Sequence, residues 1–257
     1  MENAIILCSG GLDSVVTVYY VRHKLKYKKI IILFFDYNQR TIKEERKAAK
    51  KCAKEIGADF IEIKLKELGK ISTSLINKKI KVKKIKRKEL KDTKKESEKF
   101  YVPMRNSVFL IHAIALAESL KIKEKEDLSK KAKLLFSSSS ANPNKAEGFA
   151  DFDIFVGFKC EGKEAYPDTT IEFVDAINKL IKFSNNKNGK IIAPLIKKDK
   201  EDIILLGKKL GVDFKKTYSC YAGSKNGKHC GTCLSCRLRQ EGFYWAGVKD
   251  ATIYENK

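Results

Sequence analysis

Two stretches of this 257-residue chain hold residue types that could do chemistry together. The first is Ser9-Gly10-Gly11-Leu12-Asp13-Ser14, set between the apolar run Ala4 to Cys8 and a second apolar segment opening at Val15. Two adjacent glycines let a backbone turn sharply and approach a ligand with no Cβ in the way. A helix beginning there would present unpaired N–H groups and a positive dipole end, which together hold an anion. Ser9 and Ser14 add hydroxyl donors. Asp13 would repel a phosphate, so either it holds Mg²⁺ between itself and the anion or it organises the loop. The Gly-x₄-Gly-Lys-Ser/Thr pattern of nucleoside triphosphatases is absent. An ordinary glycine turn between a strand and a helix is the plain alternative.

The second stretch is Cys220-x₉-Cys230-x₂-Cys233-x₂-Cys236. Four thiolates within reach of one tetrahedral centre describe a structural Zn²⁺ site with no open position. Each Cys-x₂ step lets a tight turn aim two sulfurs at one ion, and Gly223, Gly227 and Gly231 supply turns. An iron–sulfur cluster could use the same four residues. His229 could replace one cysteine, although neighbours in sequence rarely ligate one ion together. Free buried cysteines fit worst, because this segment has few apolar residues to bury them. Cys8, Cys52 and Cys160 are scattered through or near apolar segments.

The elements that must position these residues follow from apolar periodicity. Ala4 to Cys8 and Ile30 to Phe35 are continuous apolar runs, as buried parallel strands require. The second ends in the polar, aromatic cluster Asp36-Tyr37-Asn38-Gln39-Arg40, at the strand edge where open α/β sheets bind ligands. Thr41 to Ile56 is expected as a helix stopped by Gly57, with Ala49, Cys52, Ala53 and Ile56 on one face. Phe60 to Leu65 alternates as a strand. From about residue 66 to 99 the pattern dissolves into a lysine-rich excursion, read as a short hairpin or a flap. Val108 to Leu120 is apolar almost all round and reads as a buried helix, with Arg105 and Asn106 at its N-terminus. Residues 121–150 read as an insertion or loop. Phe152 to Phe158 is a further strand. Tyr166-Pro167-Asp168 leads into a helix opened by Thr169 and Glu172, a capping-box spacing. Ile191 to Ala193 is a last strand, and Asp199 to Leu210 a helix stopped by Gly211. The order predicts an α/β fold with a doubly wound, mostly parallel sheet over residues 1–212. A small Cys₄ zinc-binding subdomain over 213–257 completes it.

Net charge is +22, and 15 basic against 5 acidic residues lie between Lys64 and Lys99. Either an anionic partner such as nucleic acid or a general lysine bias explains this. Only seven of the 54 basic residues are arginine, whose fork grips phosphates best. Direct nucleic-acid binding is therefore not favoured. No run of about 18 apolar residues exists, so no membrane helix is expected. The acidic start, running straight into a strand, is unlike a secretory leader and predicts a cytoplasmic protein.

Ser9 to Ser14 resembles the SGGxDS signature of the PP-loop ATP pyrophosphatases, which cleave ATP between its α- and β-phosphates. An ordered set of landmarks narrows the resemblance: Phe35 to Arg40, Val102-Pro103-Met104-Arg105-Asn106, Tyr166-Pro167-Asp168, Ala193-Pro194-Leu195, and Cys220 to Cys236 followed by Leu238, Arg239, Gly242 and Phe243. Together they resemble the QueC family of 7-cyano-7-deazaguanine synthases, over most of the chain apart from about 66–99 and 121–150.

The resemblance implies a ligase that turns 7-carboxy-7-deazaguanine and ammonia into the nitrile, using ATP and Mg²⁺, through an acyl-adenylate and an amide. It implies that Ser9, Gly10, Gly11, Leu12, Asp13 and Ser14 bind ATP. Asp13, Ser14 and Arg105 would act in catalysis. Tyr37, Gln39, Arg40, Asn106, Tyr166 and Asp168 would line the substrate pocket, although surface polarity or helix capping would equally place several of them there. It also suggests a homodimer. The family has glycine where Asn38, Met104 and Ala165 stand here, and Lys159-Cys160-Glu161-Gly162 replaces its usual polar run. These changes open two further readings. One is a PP-loop enzyme that stops at the amide, or that modifies tRNA or a protein. The other is a non-catalytic nucleic-acid module with a zinc knuckle.

Overall fold

Strand β1 (Asn3–Leu7) alternates its side chains between two separate cores. Ala4 and Ile6 face one, and Ile5 faces the other. That demand on both faces is why the strand is apolar from Ala4 to Leu7. The computed structural model describes residues 3–78, 80–135, 151–159, 166–224 and 226–255. Strands β2 (Lys29–Asp36), β3 (Asp59–Lys64), β4 (Phe152–Phe155) and β5 (Ile191–Ile192) join β1 in one all-parallel sheet of order β3-β2-β1-β4-β5. Ile5 sits opposite Ile31 on one side and Ile154 on the other. The chain thus leaves β1 towards β2, and later returns to β1's other side as β4. Such a reversal of strand order opens a crevice at the carboxyl ends of the strands, where α/β sheets bind ligands.

The helices are α1 (Leu12–Tyr19), α2 (Ile42–Ile56), α3 (Lys66–Ile71), α4 (Lys94–Glu98), α5 (Arg105–Leu135), α6 (Ile171–Leu180), α7 (Lys200–Lys209) and α8 (Leu234–Trp245). Val15, Val16 and Val18 of α1, Ala49 and Cys52 of α2, Ile203 and Ile204 of α7 and Phe243 of α8 cover one sheet face. Leu110, Ala113, Ile114 and Ala117 of α5 and Val174 and Ile177 of α6 cover the other. Each fully buried aliphatic side chain contributes about 1.5–3 kcal/mol relative to exposure. The doubly wound α/β expectation is met. Among the described residues no helix is long and apolar enough to cross a membrane.

Four details depart from the sequence reading. Helix α5 continues to Leu135, beyond the expected end at Leu120, because the following Lys/Glu-rich segment has good helix propensity without an apolar stripe. Nor is α5 buried all round: Ile111 is 40% exposed while Leu110 is fully buried. Among its described residues the 66–99 excursion forms no hairpin; it folds as α3, α4 and a short 3₁₀ turn at Arg87–Lys91, linked by irregular chain. Its anchors are Ile76, Ile85 and Phe100, all buried. Helix α6 is capped by the Thr170 side chain, which accepts the Phe173 N–H, and not by Thr169. Thr169 instead donates to the Tyr166 carbonyl at 2.9 Å. The remainder of the expected 121–150 insertion, residues 136–150, lies outside the described residues, as do Cys160 and Ala165.

Candidate active site and cysteine centre

The Ser9–Ser14 loop leaves the carboxyl end of β1 and opens α1. Gly10 adopts φ +78°, and a Cβ there would come within 2.6 Å of the Glu45 carbonyl and 2.8 Å of the Ala48 Cβ. Its glycine is therefore needed for the left-handed turn and for close packing on α2. Gly11, at φ −70°, is the N-cap of α1 and supplies no side-chain cap, so the first-turn N–H groups have no capping side chain. That leaves them for an anion. The hydroxyls are organised around them. Ser14 Oγ donates to the Gly11 carbonyl at 3.0 Å and lies 3.3 Å from Ser9 Oγ, which accepts the Gly11 N–H. From the C-terminal segment, the Tyr218 N–H donates to the Gly10 carbonyl at 2.8 Å and braces the loop.

Asp13 projects from the first turn of α1 into an ion pair. Both of its oxygens accept from Lys200 Nζ, at 2.7 and 2.6 Å. Lys200 begins α7 just after its Asp199 cap. It stands in a Lys197-Lys198-Asp199-Lys200 run, and nothing in residue type separates it from its neighbours. Only the fold identifies it.

A cavity of about 550 Å³ lies over this loop, within the range of small-molecule sites. Ser9, Gly11, Leu12, Asp13, Ser14, Tyr37, Gln39, Arg105, Asn106, Tyr166 and Asp168 all line it. The sequence had marked every one of these. Gly10 and Arg40 are not in its lining. Arg40 instead donates to the carbonyls of Lys78 (2.6 Å) and Ile80 (2.8 Å), pinning the excursion. Gln39 is buried and spans its own turn, accepting the Tyr37 N–H and donating to the Phe35 carbonyl.

Arg105 opens α5 with its guanidinium over the rings of Tyr37 and Phe109, at 5.7 and 5.9 Å. Phe109 is itself stacked on Phe35 at 4.1 Å. Burial works against the Arg105 charge, but the neighbouring Tyr37 phenol and Asp168 carboxylate outweigh it and raise its pKa. Burial pushes the Tyr37 phenol up to about 12, so it stays protonated at neutral pH. Asn106 and Asp168 bond reciprocally, backbone to side chain in each direction. Tyr166 stacks on Tyr101, with centroids 5.5 Å apart, and its hydroxyl donates to the Ser97 carbonyl at 2.7 Å.

Leu90, Thr93 and Ser97 also line the cavity, so the lysine-rich excursion is its roof. The sequence pattern missed this, because a few lining residues scattered among twenty charged ones leave no periodic trace. Two backbone positions beside the site are left-handed without glycine: Asn38 (φ +62°) and Met104 (φ +54°). They are two of the positions where the family pattern has glycine, and the backbone supplies the reason.

The four cysteines converge. All four Sγ atoms lie within 4.8 Å of one another and all are buried, forming a site that could bind a metal. Cys220 and Cys233 sulfurs are 4.0 Å apart, and those of Cys230 and Cys236 are 3.9 Å apart. A tetrahedron with 2.3 Å Zn–S bonds has edges of about 3.8 Å, so one ion fits. A multi-iron cluster would have to sit between the sulfurs and spread them. Backbone N–H groups of Gly223 and Cys230 point at Cys220 Sγ, and those of Thr232 and Cys233 at Cys230 Sγ, all at 3.3–3.4 Å. Such donors suit thiolates, which are the ligand form. His229 takes no part: its Nε2 accepts the Ser219 N–H.

The centre touches both the roof and the cavity. The Ile85 N–H donates to the Thr232 carbonyl, and Arg237 Nε to the Ile85 carbonyl. Ser219, Cys220, Tyr221, Leu234 and Ser235 form part of the cavity wall. Behind them the fully buried Arg239 donates to Thr217, Ser219, Thr252 and the Phe214 carbonyl, locking the segment in place.

Comparison with known proteins agrees with this arrangement. The family profile described as "Queuosine biosynthesis protein QueC" matches residues 3–125 and 133–247. A protein named 7-cyano-7-deazaguanine synthase from Methanocaldococcus jannaschii is 37% identical, over 98% of both chains. Proteins of the same name from Hydrogenovibrio crunogenus and Clostridium kluyveri are 34% and 33% identical, over 99% and all of this chain and 96% and all of theirs. This chain belongs to the QueC family.

Proposed function

We propose that this chain is an ATP-dependent carbon–nitrogen ligase that converts 7-carboxy-7-deazaguanine and ammonia into 7-cyano-7-deazaguanine. The observation that carries the reading is an uncapped diglycine loop at the sheet's carboxyl edge, facing one cavity that also holds an arginine and stacked tyrosines. The relatives' shared name specifies the substrate class.

A carboxylate is a poor electrophile, and adenylating it creates a leaving group. Ser9, Gly11, Leu12 and Ser14 grip the pyrophosphate end of ATP, and Gly10 shapes the turn that lets them. Asp13 would hold Mg²⁺, which when bound would supply positive charge beside the phosphates. Arg105, charged and aimed into the cavity, neutralises the α-phosphate or the substrate carboxylate. Ammonia attacks the acyl carbon, expelling AMP and losing a proton, to give the amide; a second ATP then adenylates the amide oxygen with release of pyrophosphate, and loss of AMP and the two remaining N–H protons leaves the nitrile. Charge stabilisation on a leaving pyrophosphate dominates both activation steps. Tyr166 offers the deazaguanine a flat face, while Asp168 and Asn106 face its polar edge. Gln39 and Arg40 act indirectly, by fixing the Tyr37 turn and the roof.

Zn²⁺ at Cys220, Cys230, Cys233 and Cys236 is structural in this reading. The working form is a homodimer in the cytoplasm, which light scattering in solution would read as twice the 29.2 kDa chain mass. One assay tests the whole: purified protein with 7-carboxy-7-deazaguanine, ammonia and Mg-ATP should release nitrile, AMP and pyrophosphate with no macromolecule present. Accumulation of the amide, or turnover only on tRNA or protein, would replace this reading.

A further inference from the structure

Three carboxylates line the cavity among the described residues: Asp13, Asp168 and Glu45. Asp13 is paired with Lys200, and Asp168 caps α5. Glu45, in the first turn of α2, has no cation at its tip. Its two oxygens accept from neutral donors, Thr41 Oγ1 and, at 3.1 Å, Gln39 Nε2. Arg105 attracts it by Coulomb force alone. The two donors fix the carboxylate and use only two of its roughly four lone-pair sites. Gln39 is fixed in turn by the Tyr37 N–H and the Phe35 carbonyl. The Glu45 main chain packs on Gly10, where a Cβ would meet the Glu45 carbonyl at 2.6 Å, so its side chain starts beside the phosphate loop. The Tyr37 phenol feels both the Arg105 guanidinium and the Glu45 carboxylate, which puts a fixed cation and a fixed anion in one cavity. A carboxylate held by neutral donors beside an anion-binding loop suits a small cation.

We propose that Glu45 is a further catalytic residue, which captures ammonium from solution and takes one of its protons so that ammonia can attack the adenylated carbon. This rests on the ligase reading above. At neutral pH ammonia is almost wholly protonated, and ammonium has no lone pair to attack with. A proton moves from the ammonium nitrogen to a Glu45 oxygen, and the freed pair bonds to the acyl carbon. The carbon–oxygen bond to AMP breaks, and its electron pair leaves with AMP. The attacking nitrogen, positive once bonded, releases a second proton to water and becomes the amide nitrogen. Glu45 gives its own proton to water before the next ammonium enters. Burial, opposed by the Thr41 and Gln39 hydrogen bonds, holds the Glu45 carboxyl above the usual range. That makes it a stronger proton acceptor than an exposed glutamate. Position separates it from Asp168, which lies in the Tyr166 segment at the deazaguanine end. Glu45 starts from the loop that grips the phosphates, and the acyl carbon must sit next to the α-phosphate.

The test uses the full-length chain and Glu45→Gln, with Glu45→Ala in its place if a thermal melt shows that the first does not fold. Activation is read without ammonia, as exchange of labelled pyrophosphate into ATP in the presence of 7-carboxy-7-deazaguanine. Nitrogen transfer is read with ammonium, and again with hydroxylamine, which is largely neutral at neutral pH and attacks without prior loss of a proton. Losing a hydrogen bond to a charged group weakens binding about tenfold to hundredfold, and losing a general base slows a step about 10²–10⁴-fold. Glu45→Gln should therefore lose at least a hundredfold in kcat/KM for ammonium. Its pyrophosphate exchange should stay within about threefold of wild type, and its kcat/KM for hydroxylamine within about tenfold. An ammonium kcat/KM within threefold of wild type would overturn the proposal. So would equal losses with both nucleophiles, or a raised KM for 7-carboxy-7-deazaguanine at an unchanged KM for ammonium, which would assign the carboxylate to the deazaguanine edge. Exchange that fell as far as nitrogen transfer would also overturn it, since Glu45 would then serve activation. A wild-type protein with no pyrophosphate exchange would sink the ligase reading itself, and the role of Glu45 with it; wild-type exchange with an indifferent Glu45→Gln would sink only the latter.

Discussion

Asp168 and Asn106 hold each other across 62 positions of sequence: Asp168 Oδ2 accepts the Asn106 N–H at 3.2 Å, and Asn106 Nδ2 donates to the Asp168 carbonyl at 3.1 Å. The carboxylate thereby caps α5, the helix that presents Arg105, from a separate segment. Capping and substrate contact need not compete, since a carboxylate has two oxygens and several lone pairs.

Replacement by asparagine separates the two jobs. Asp168→Asn keeps an oxygen acceptor for the Asn106 N–H and loses only the favourable charge at the helix N-terminus, about 0.3–1 kcal/mol. The melting temperature should fall by no more than a few degrees. Towards a guanine-like edge, however, the variant presents one acceptor and one misplaced donor. A hydrogen bond to a charged group is worth about 1.5–3 kcal/mol. The KM for 7-carboxy-7-deazaguanine should therefore rise roughly tenfold to hundredfold, with KM for ATP unchanged. Steady-state kinetics showing both KM values unmoved would leave Asp168 as a cap alone.

The two loop glycines should fail in different ways. Gly10→Ala forces a Cβ into φ +78° and against the Glu45 carbonyl and Ala48. Left-handed strain and overpacking together cost roughly 2–5 kcal/mol, so its melting temperature should drop sharply. At Gly11 the backbone suits alanine, and the nearest atom to a new Cβ is Ser9 Oγ at 3.2 Å. Gly11→Ala should melt close to wild type yet bind ATP at least tenfold more weakly, because the methyl group enters the space in front of the first-turn N–H groups. Calorimetry on both variants makes the comparison.

Much of this was legible from residue order. The buried strands, the glycine loop and the cysteine cluster each carry a local signal: an apolar run, a diglycine, a fixed spacing. What stayed hidden depends on contacts distant in sequence. Lys200 is one lysine among 54 basic residues until α7 sets it against α1. The roof reads as surface because Leu90, Thr93 and Ser97 are separated by charges, and only its attachment to Thr232 and Arg237 brings it over the cavity. Helix α5 outran its apolar face, since propensity alone can extend a helix that packing has already nucleated.

The left-handed Met104 is a local cost with no compensating side-chain contact evident, as the residue is 58% exposed. A non-glycine residue in this region pays about 1–2 kcal/mol, partly offset by the extra chain entropy glycine brings to the unfolded state. Met104→Gly should raise the melting temperature slightly, by one to three degrees or so. Asn38→Gly should change it less, because asparagine tolerates this conformation. Differential scanning calorimetry distinguishes the pair.

Removing the metal should loosen the cavity as well as the knuckle. Ile85 bonds to Thr232, between the second and third cysteines, and to Arg237, just after the fourth, so the roof has one of its anchors on the cysteine segment. After chelation, hydrogen exchange should rise in 219–236 and in 80–99 together, while β1 stays protected, and ligase activity should be lost. One zinc per chain by elemental analysis is expected beforehand; iron would overturn that assignment. Exchange rising in the knuckle alone would show that the roof stands without it.

A last expectation concerns acid. Arg46 on α2 spans the ends of two strands, donating to Glu62 at 2.9 and 2.7 Å and to Asp36 at 3.2 Å. The Arg46 hydrogen bond, ahead of its Coulomb attraction, holds the Glu62 carboxyl below the usual carboxylate range. A depressed folded-state pKa adds stability that is fully present above the unfolded value, about 4.3, and is lost as pH falls through the folded one. The pair is partly exposed, with side chains 27% and 18% accessible, which limits its worth at neutral pH to about 1 kcal/mol. Glu62→Gln should thus melt a few degrees below wild type at pH 7, and the two curves should converge as pH falls from about 4.5 towards 3. Curves that ran parallel over that interval would mean that Glu62 titrates alike in the folded and unfolded chains, and that the Arg46 bridge does not tie β2 to β3.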